Sequence, residues 1–186
     1  MKKIACLFPG IGYTCEKPLL YYTWKLLGSS GWEIIPVRYG PFPTGVKGDP
    51  EKMTRCAQIA MEQSEAILEK TDWSAYPRIL FVGKSVGTAV GCAYAKRHQI
   101  ACGQILFTPL EETFQFADSG AIAFHGTADP WADTGVIEEC CARKGIPLYK
   151  TEGANHSLET GRVDFDIETL QKTMRIVREY TDAYGS

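Results

Sequence analysis

The segment Gly83-Lys84-Ser85-Val86-Gly87 follows an apolar run, Arg78–Val82, and leads straight into a helical stretch, Thr88-Ala89-Val90-Gly91-Cys92-Ala93-Tyr94. G-x-S-x-G between a strand and a helix marks a sharp turn that exposes a serine hydroxyl at a helix N-terminus. The spacing predicts that residues two before and two after Ser85 crowd each other, so that only glycine fits at either place, and that Ser85 holds a strained backbone. A serine presented this way is suited to attack an electrophilic carbon. The same residues also match the end of a phosphate-binding loop, but that loop needs a glycine five residues before Gly83, where Arg78 stands.

A serine hydroxyl is a weak nucleophile at neutral pH and needs a general base held by a carboxylate. Two later segments offer these groups: Phe124-His125-Gly126-Thr127-Ala128-Asp129-Pro130 and Thr151-Glu152-Gly153-Ala154-Asn155-His156-Ser157-Leu158. Asp129 is the candidate acid, with Asp133 the fallback; Asp129 could instead shape the turn before Pro130 while Asp133 caps the next helix. Of the three histidines, His98 ends a helix, where a cation complements the dipole, and His125 ends a strand. His156 alone falls in a loop after the last strand and is the candidate base.

The elements that must position these groups alternate along the chain. Strands are expected at Lys3–Phe8, Glu33–Val37, Arg78–Val82, Gly103–Phe107, Ala121–Phe124 and Pro147–Lys150, most of them rich in Ile, Leu, Val or Phe, as burial on both faces requires. Helices are expected at Lys17–Leu27, Pro50–Lys70, Val86–Arg97, Thr134–Lys144 and Asp166–Ala183. Asp49 is placed to cap the second, with Pro50 at its first position. Its inner stripe is expected at Met53, Cys56, Ala57, Ala60, Met61, Ser64, Ile67 and Leu68. That of the last helix is expected at Ile167, Leu170, Met174, Val177 and Tyr180. Strand and helix in turn predict an α/β domain of three layers, α/β/α, around a mostly parallel six-stranded sheet, with functional residues at the carboxyl ends of the strands.

Length and composition are consistent with this. A chain of 186 residues suits one domain spanning 1–186, large enough to bury about 70% of its unfolded surface. Lys and Arg number 20 against 22 Asp and Glu, for a net charge of −2, without the positive field that binding to nucleic acid requires. Seven cysteines, an odd number without a C-x-x-C pair, read as reduced core thiols. The apolar run Ile4 to Phe8 is too short for a signal-peptide core, and no stretch nears the roughly 20 apolar residues of a membrane span. A cytoplasmic protein without a membrane partner is expected. There is no metal-ligand spacing and no cofactor motif, so the expected cofactor is none and the expected second substrate is water.

With the serine, acid and histidine segments together, the chain resembles the α/β-hydrolase superfamily in a minimal form without a cap domain, similar to dienelactone-hydrolase-like proteins and other small serine esterases. The resemblance covers nearly the whole chain. The family's H-G-x-x-D segment corresponds to His125-Gly126-Thr127-Ala128-Asp129, and its G-x-x-H segment to Gly153-Ala154-Asn155-His156. The order Ser, Asp, His is that of this fold. The two strands that usually open the family's sheet are absent, and the implied strand order is 2-1-3-4-5-6. The resemblance further implies an oxyanion hole from the backbone N–H groups of Val86 and Ile11, the latter in the loop Phe8-Pro9-Gly10-Ile11-Gly12-Tyr13-Thr14. Pro9 stands where many relatives carry histidine.

The implied activity is hydrolysis of a small carboxylic ester or thioester through an acyl-enzyme, with deacylase and peptidase use open. Gly12, Tyr13, Lys84 and Trp131 are the candidate substrate contacts. Lys84 and Arg38 either favour an anionic substrate or are solvated surface charges. Tyr39, Pro41, Phe42 and Pro43 either line an acyl or alcohol pocket with Trp131 or pack on one another. The other classes open at this point are a non-catalytic binding protein of the same fold, and a flavodoxin-like nucleotide binder, whose βα pattern is similar. A homo-oligomer is neither required nor excluded.

Overall fold

The six apolar runs form six parallel strands because each has apolar residues on both faces, and both faces are covered. The computed structural model describes residues 1–185. The strands are β1 (Lys3–Phe8), β2 (Glu33–Pro36), β3 (Arg78–Lys84), β4 (Gly103–Phe107), β5 (Ile122–Gly126) and β6 (Leu148–Thr151). The helices are α1 (Pro18–Ser29), α2 (Pro50–Leu68), α3 (Val86–Arg97), α4 (Thr134–Lys144) and α5 (Val163–Gly185). All neighbouring strands pair parallel in the order β2-β1-β3-β4-β5-β6, as the resemblance implied. The chain runs outward from β1 to β2, then returns past β1 and builds the other half from β3. The switch leaves a crevice at the carboxyl ends of β1 and β3, the usual ligand position in such sheets.

Strand alternation divides the core into two layers. Ala5, Leu7, Leu80, Val82, Ile105, Phe107, Ile122 and Phe124 face α1 and α5. Ile4, Cys6, Phe8, Ile79 and Phe81 face α2 and α3, while Leu106 and Ala123 meet Ile137, Cys140 and Cys141 of α4. All seven cysteines are free, six of them buried and Cys102 partly so. Among the described residues no helix is long and apolar enough to cross a membrane.

Most element boundaries fall within one or two residues of expectation, and the larger differences have local causes. Strand β3 continues through Gly83 and Lys84, which pair with Leu106 and Phe107 of β4. Helix α5 starts at Val163, three residues early, because the Asp166 carboxylate ties down the preceding turn by accepting from the N–H groups of Thr160 and Gly161 and from the Thr160 hydroxyl. Asp49 caps α2 as expected, accepting from the Lys52 N–H at 3.1 Å.

Two apolar stripes need correction. In α2 the inner line is Cys56, Ala60, Ser64 and Leu68, and Ile67 is exposed. In α5 it is Thr169, Thr173, Val177 and Thr181, with Leu170, Met174 and Tyr180 flanking and Ile167 at 62% exposure. A count of apolar residues passes over threonine. Its compact branched side chain nonetheless fits a close helix-to-sheet contact, and a hydroxyl there can be satisfied by its own helix, as Thr181 donates to the Arg178 carbonyl.

Candidate active site

The turn after β3 is built by exclusion of side chains. A Cβ on Gly83 would lie 2.5 Å from the Thr88 Cα and 2.8 Å from the Gly87 carbonyl oxygen, so the residues flanking Ser85 do crowd each other. Gly87 is confined by a different neighbour: a Cβ there would come within 2.0 Å of the Phe8 carbonyl oxygen at the end of β1. Ser85, between them, has φ 56° and ψ −125°, a conformation that L-residues rarely adopt. Its N–H donates to Phe107 of β4 and its carbonyl accepts from the Thr88 N–H and hydroxyl, which holds the turn. The side chain is thereby aimed out of the sheet at the N-terminus of α3.

Three segments converge on that side chain. The Ser85 Oγ lies 2.8 Å from His156 Nε2, and His156 Nδ1 lies 2.6 Å from Asp129 Oδ2. The Asp129 side chain is fully buried and that of His156 is 16% exposed. The other Asp129 oxygen accepts from the Trp131 N–H at 2.8 Å, so one carboxylate both shapes the turn before Pro130 and holds the imidazole. Burial pushes the Asp129 carboxyl upward, but the His156 hydrogen bond and charge, the Trp131 N–H and His125 together hold it below its usual value. His156 is lowered, chiefly by burial, with its bond to Asp129 pulling the other way and the charge of Lys84 adding to the fall. A neutral imidazole donating from Nδ1 to a carboxylate and accepting at Nε2 from a serine is the arrangement that activates an alcohol.

The competing assignments have other duties. Asp133 caps α4, accepting from the Val136 N–H at 3.1 Å. His98 caps the far end of α3 and its Nε2 lies 2.7 Å from Glu65 Oε2. His125, next to last in β5, is fully buried behind Asp129: its Nε2 is 3.0 Å from the Thr134 hydroxyl, and its Nδ1, which has no hydrogen-bond partner among the described residues, is 3.9 Å from Asp129 Oδ2. Burial lowers His125, against the attraction of the Asp129 charge. The sequence signal for this neighbour was the position of His125, four residues before the acid.

Behind the site the acid and histidine loops touch backbone to backbone at Gly126. A Cβ there would stand 2.3 Å from the Ala154 carbonyl oxygen and 2.5 Å from that of Asn155. Gly126→Ala must therefore part the two loops that carry Asp129 and His156. We expect a loss of about 1–3 kcal/mol in stability, the usual cost of overpacking, together with a fall in turnover, read by thermal melting and by ester hydrolysis on the same sample. Wild-type melting and rate in this variant would refute the close contact.

The loop after β1 closes the other side. Gly10 and Tyr13 pair across a tight turn, with the Gly10 N–H donating to the Tyr13 carbonyl at 3.0 Å. A Cβ on Gly10 would lie 3.2 Å from the Ser85 Cβ, so the turn rests directly against the serine. Among the described residues, neither the Ile11 N–H, in this turn, nor the Val86 N–H, first in α3, donates to a protein group. Gly12 takes a left-handed φ of 71° there.

Of the remaining candidate contacts, Trp131 lies beside His156, with ring centroids 5.8 Å apart. It also borders a cavity of about 500 Å³ shared with Val46, Lys47, Met53, Leu110 and Ile137. Tyr13 is buried, and its hydroxyl accepts from the Leu19 N–H. Lys84 is neither a surface charge nor an exposed anion contact: it is 1% exposed, and its ammonium lies 4.8 Å from the centroid of the Tyr13 ring. Arg38 is a surface residue 3.7 Å from Glu16. Tyr39 and Phe42 pack on each other and on the core layer under α2, with Tyr39 bonded to Ser64, so they do not wall the site.

No protein-family profile and no curated protein sequence matches the chain. Solved structures do. The Butyrivibrio proteoclasticus protein Est1E, solved with ferulic acid bound, superposes with a TM-score of 0.71 at 13% identity, over 98% of this chain and 89% of that one. A Pyrococcus furiosus esterase gives 0.68 at 13% identity, over 100% and 84%. A Xanthomonas campestris α/β serine hydrolase without a lid gives 0.57 at 15% identity, over 92% and 80%. At these identities the likeness is one of fold.

Proposed function

We propose that this chain, which has the α/β-hydrolase fold, is a serine hydrolase that cleaves a small carboxylic ester or thioester through an acyl-enzyme. One observation carries the reading: the unbroken line from the Ser85 hydroxyl through the His156 imidazole to the Asp129 carboxylate, at 2.8 Å and 2.6 Å. Ser85 Oγ attacks the carbonyl carbon and its proton passes to His156 Nε2. Asp129 holds the imidazolium that forms and keeps Nδ1 protonated throughout. The negative charge that develops on the carbonyl oxygen is met by the N–H groups of Val86 and Ile11, neither of which donates to a protein group among the described residues. Collapse of the tetrahedral intermediate breaks the bond to the alcohol or thiol, which leaves with the proton from His156. Water then attacks the acyl-serine, gives a proton to His156, and releases the acid as Ser85 recovers its own.

The position of Trp131 beside His156 supports an apolar surface for one side of the substrate, and the cavity beyond it supports a small acyl or alcohol group. Ser85, Asp129 and His156 are the assigned catalytic residues, Val86 and Ile11 the oxyanion donors, and Gly12 and Trp131 the substrate contacts. The test is a fluorophosphonate probe, which reacts only with an activated serine. It should label the protein once, at Ser85, and labelling that persists in Ser85→Ala would remove the assignment.

A further inference from the structure

Strand alternation after Ala123 turns the His125 side chain to the face of β5 covered by α4, where it is fully buried. Its ring spans two neighbours. Nε2 lies 3.0 Å from the hydroxyl of Thr134, the first residue of α4. Nδ1 lies 3.9 Å from Asp129 Oδ2, the same oxygen that meets His156 Nδ1 at 2.6 Å. Among the described residues Nδ1 has no hydrogen-bond partner, and a buried polar atom in that state calls for a reason.

The Thr134 hydroxyl decides which nitrogen carries the proton. A hydroxyl has one proton to give, and Nε2 at 3.0 Å is nearer than the Thr127 carbonyl at 3.5 Å. Nε2 therefore accepts, and the ring proton stands on Nδ1, on the side of Asp129. The opposite tautomer would set a lone pair against a carboxylate oxygen in a buried site, where that repulsion is strong. The other charged groups around the ring are engaged elsewhere. Asp133 caps α4, and Glu138 of α4 pairs with Lys150, the β6 residue beside His125.

We propose that His125 is a positioning residue of the site: its Nδ1–H backs Asp129 Oδ2 from the α4 side, keeps the carboxylate ionised and limits the charge it presents to His156. The proposal rests on the reading of Ser85, Asp129 and His156 as the reacting groups. His125 touches neither substrate nor Ser85 and acts through Asp129. At 3.9 Å the N–H acts on the carboxylate through space rather than by a hydrogen bond.

The effect on pH dependence has a definite sign. A donor facing Oδ2 favours the charged carboxylate, so its removal lets Asp129 take a proton at higher pH. Removal also leaves more of the Oδ2 charge for His156, which then keeps its imidazolium proton to higher pH. Both changes move the loss of activity on acidification upward in pH.

Two substitutions on the full chain separate this role from packing. In His125→Gln the longer amide reaches the place of Nε2 and can keep the Thr134 contact, but nothing occupies the place of Nδ1. In His125→Asn the shorter amide takes the place of Nδ1 and can turn an N–H toward Asp129, but loses Thr134. The quantity to measure is the ratio of the fluorophosphonate labelling rate of Ser85 at about pH 5.5 to that at about pH 8.5. That ratio should fall roughly three- to tenfold in His125→Gln and stay within about twofold of wild type in His125→Asn. A wild-type ratio in His125→Gln overturns the proposal, and so does a fall in His125→Asn as large as that in His125→Gln, since packing on Thr134 would then be what matters. Nitrogen NMR of the wild-type ring, which needs no variant to fold, should find the His125 proton on Nδ1. A proton on Nε2 alone overturns the proposal as well. Wild type that is not labelled at Ser85 removes the hydrolase reading instead, and the ring spectrum still decides how His125 faces Asp129.

Discussion

Ser85→Ala should lower the turnover of a short p-nitrophenyl ester by about 10⁵- to 10⁶-fold, with no compensating change in KM, because the only atom removed is the one that forms the covalent bond. The fold should survive. Alanine tolerates φ 56° no better than serine, so the strain in the turn persists and the melting temperature should stay close to that of wild type. Ser85→Gly makes the control sharper: glycine adopts this conformation freely, so that variant should be equally inactive yet more stable by about 1 kcal/mol. Inactivity with unchanged or raised stability separates loss of a nucleophile from loss of a fold. Turnover in Ser85→Ala within about tenfold of wild type would show that the 2.8 Å contact with His156 is incidental.

The same turn shows why much of the site was legible without coordinates. Gly83 is required by contacts with Gly87 and Thr88 a few residues on, and Ser85 stands between strand and helix. Asp129 and His156 were legible for a related reason: parallel strands deliver every following loop to one edge of the sheet, so residues 27 apart in sequence meet there at 2.6 Å. Lys84 is expected from the sequence either to contact an anionic substrate or to be a solvated charge, and the structure buries it instead. Its register with Leu80 and Val82 already placed it inward, and pairing of β3 with β4 up to Phe107 closes the strand over it. The α5 stripe failed in the opposite way, since the buried line of Thr169, Thr173 and Thr181 is polar by type and apolar by shape. The long-range contacts at Gly87 and Gly126 carry no sequence signal beyond the glycine itself. Each depends on where a distant backbone passes.

Asp129→Asn is the other change with a large expected effect, and it tests the electrostatic half of the proposal rather than the nucleophile. The substitution keeps the shape of the side chain and one acceptor, which can still receive the Trp131 N–H. It removes the charge and can turn an N–H₂ toward His156 Nδ1. The imidazole would then carry its proton on Nε2 and present a donor to Ser85 where an acceptor is needed. Such a change of tautomer costs about 10⁴-fold in kcat where the geometry is otherwise preserved. The remaining activity should depend on pH differently, because the wild-type carboxyl, held below its usual value chiefly by His156 against the opposing effect of burial, stays ionised through mildly acid solution and supports the imidazolium there. Without it the imidazolium loses its main support and becomes harder to form. Labelling by fluorophosphonate should fall in parallel with turnover, since both need the serine proton removed. A variant that keeps more than about a tenth of wild-type kcat would mean that His156 is oriented by something other than Asp129. The nearest alternative in the structure, His125, has no contact to Ser85 through which it could serve as the base, because its imidazole is enclosed between Asp129 and Thr134.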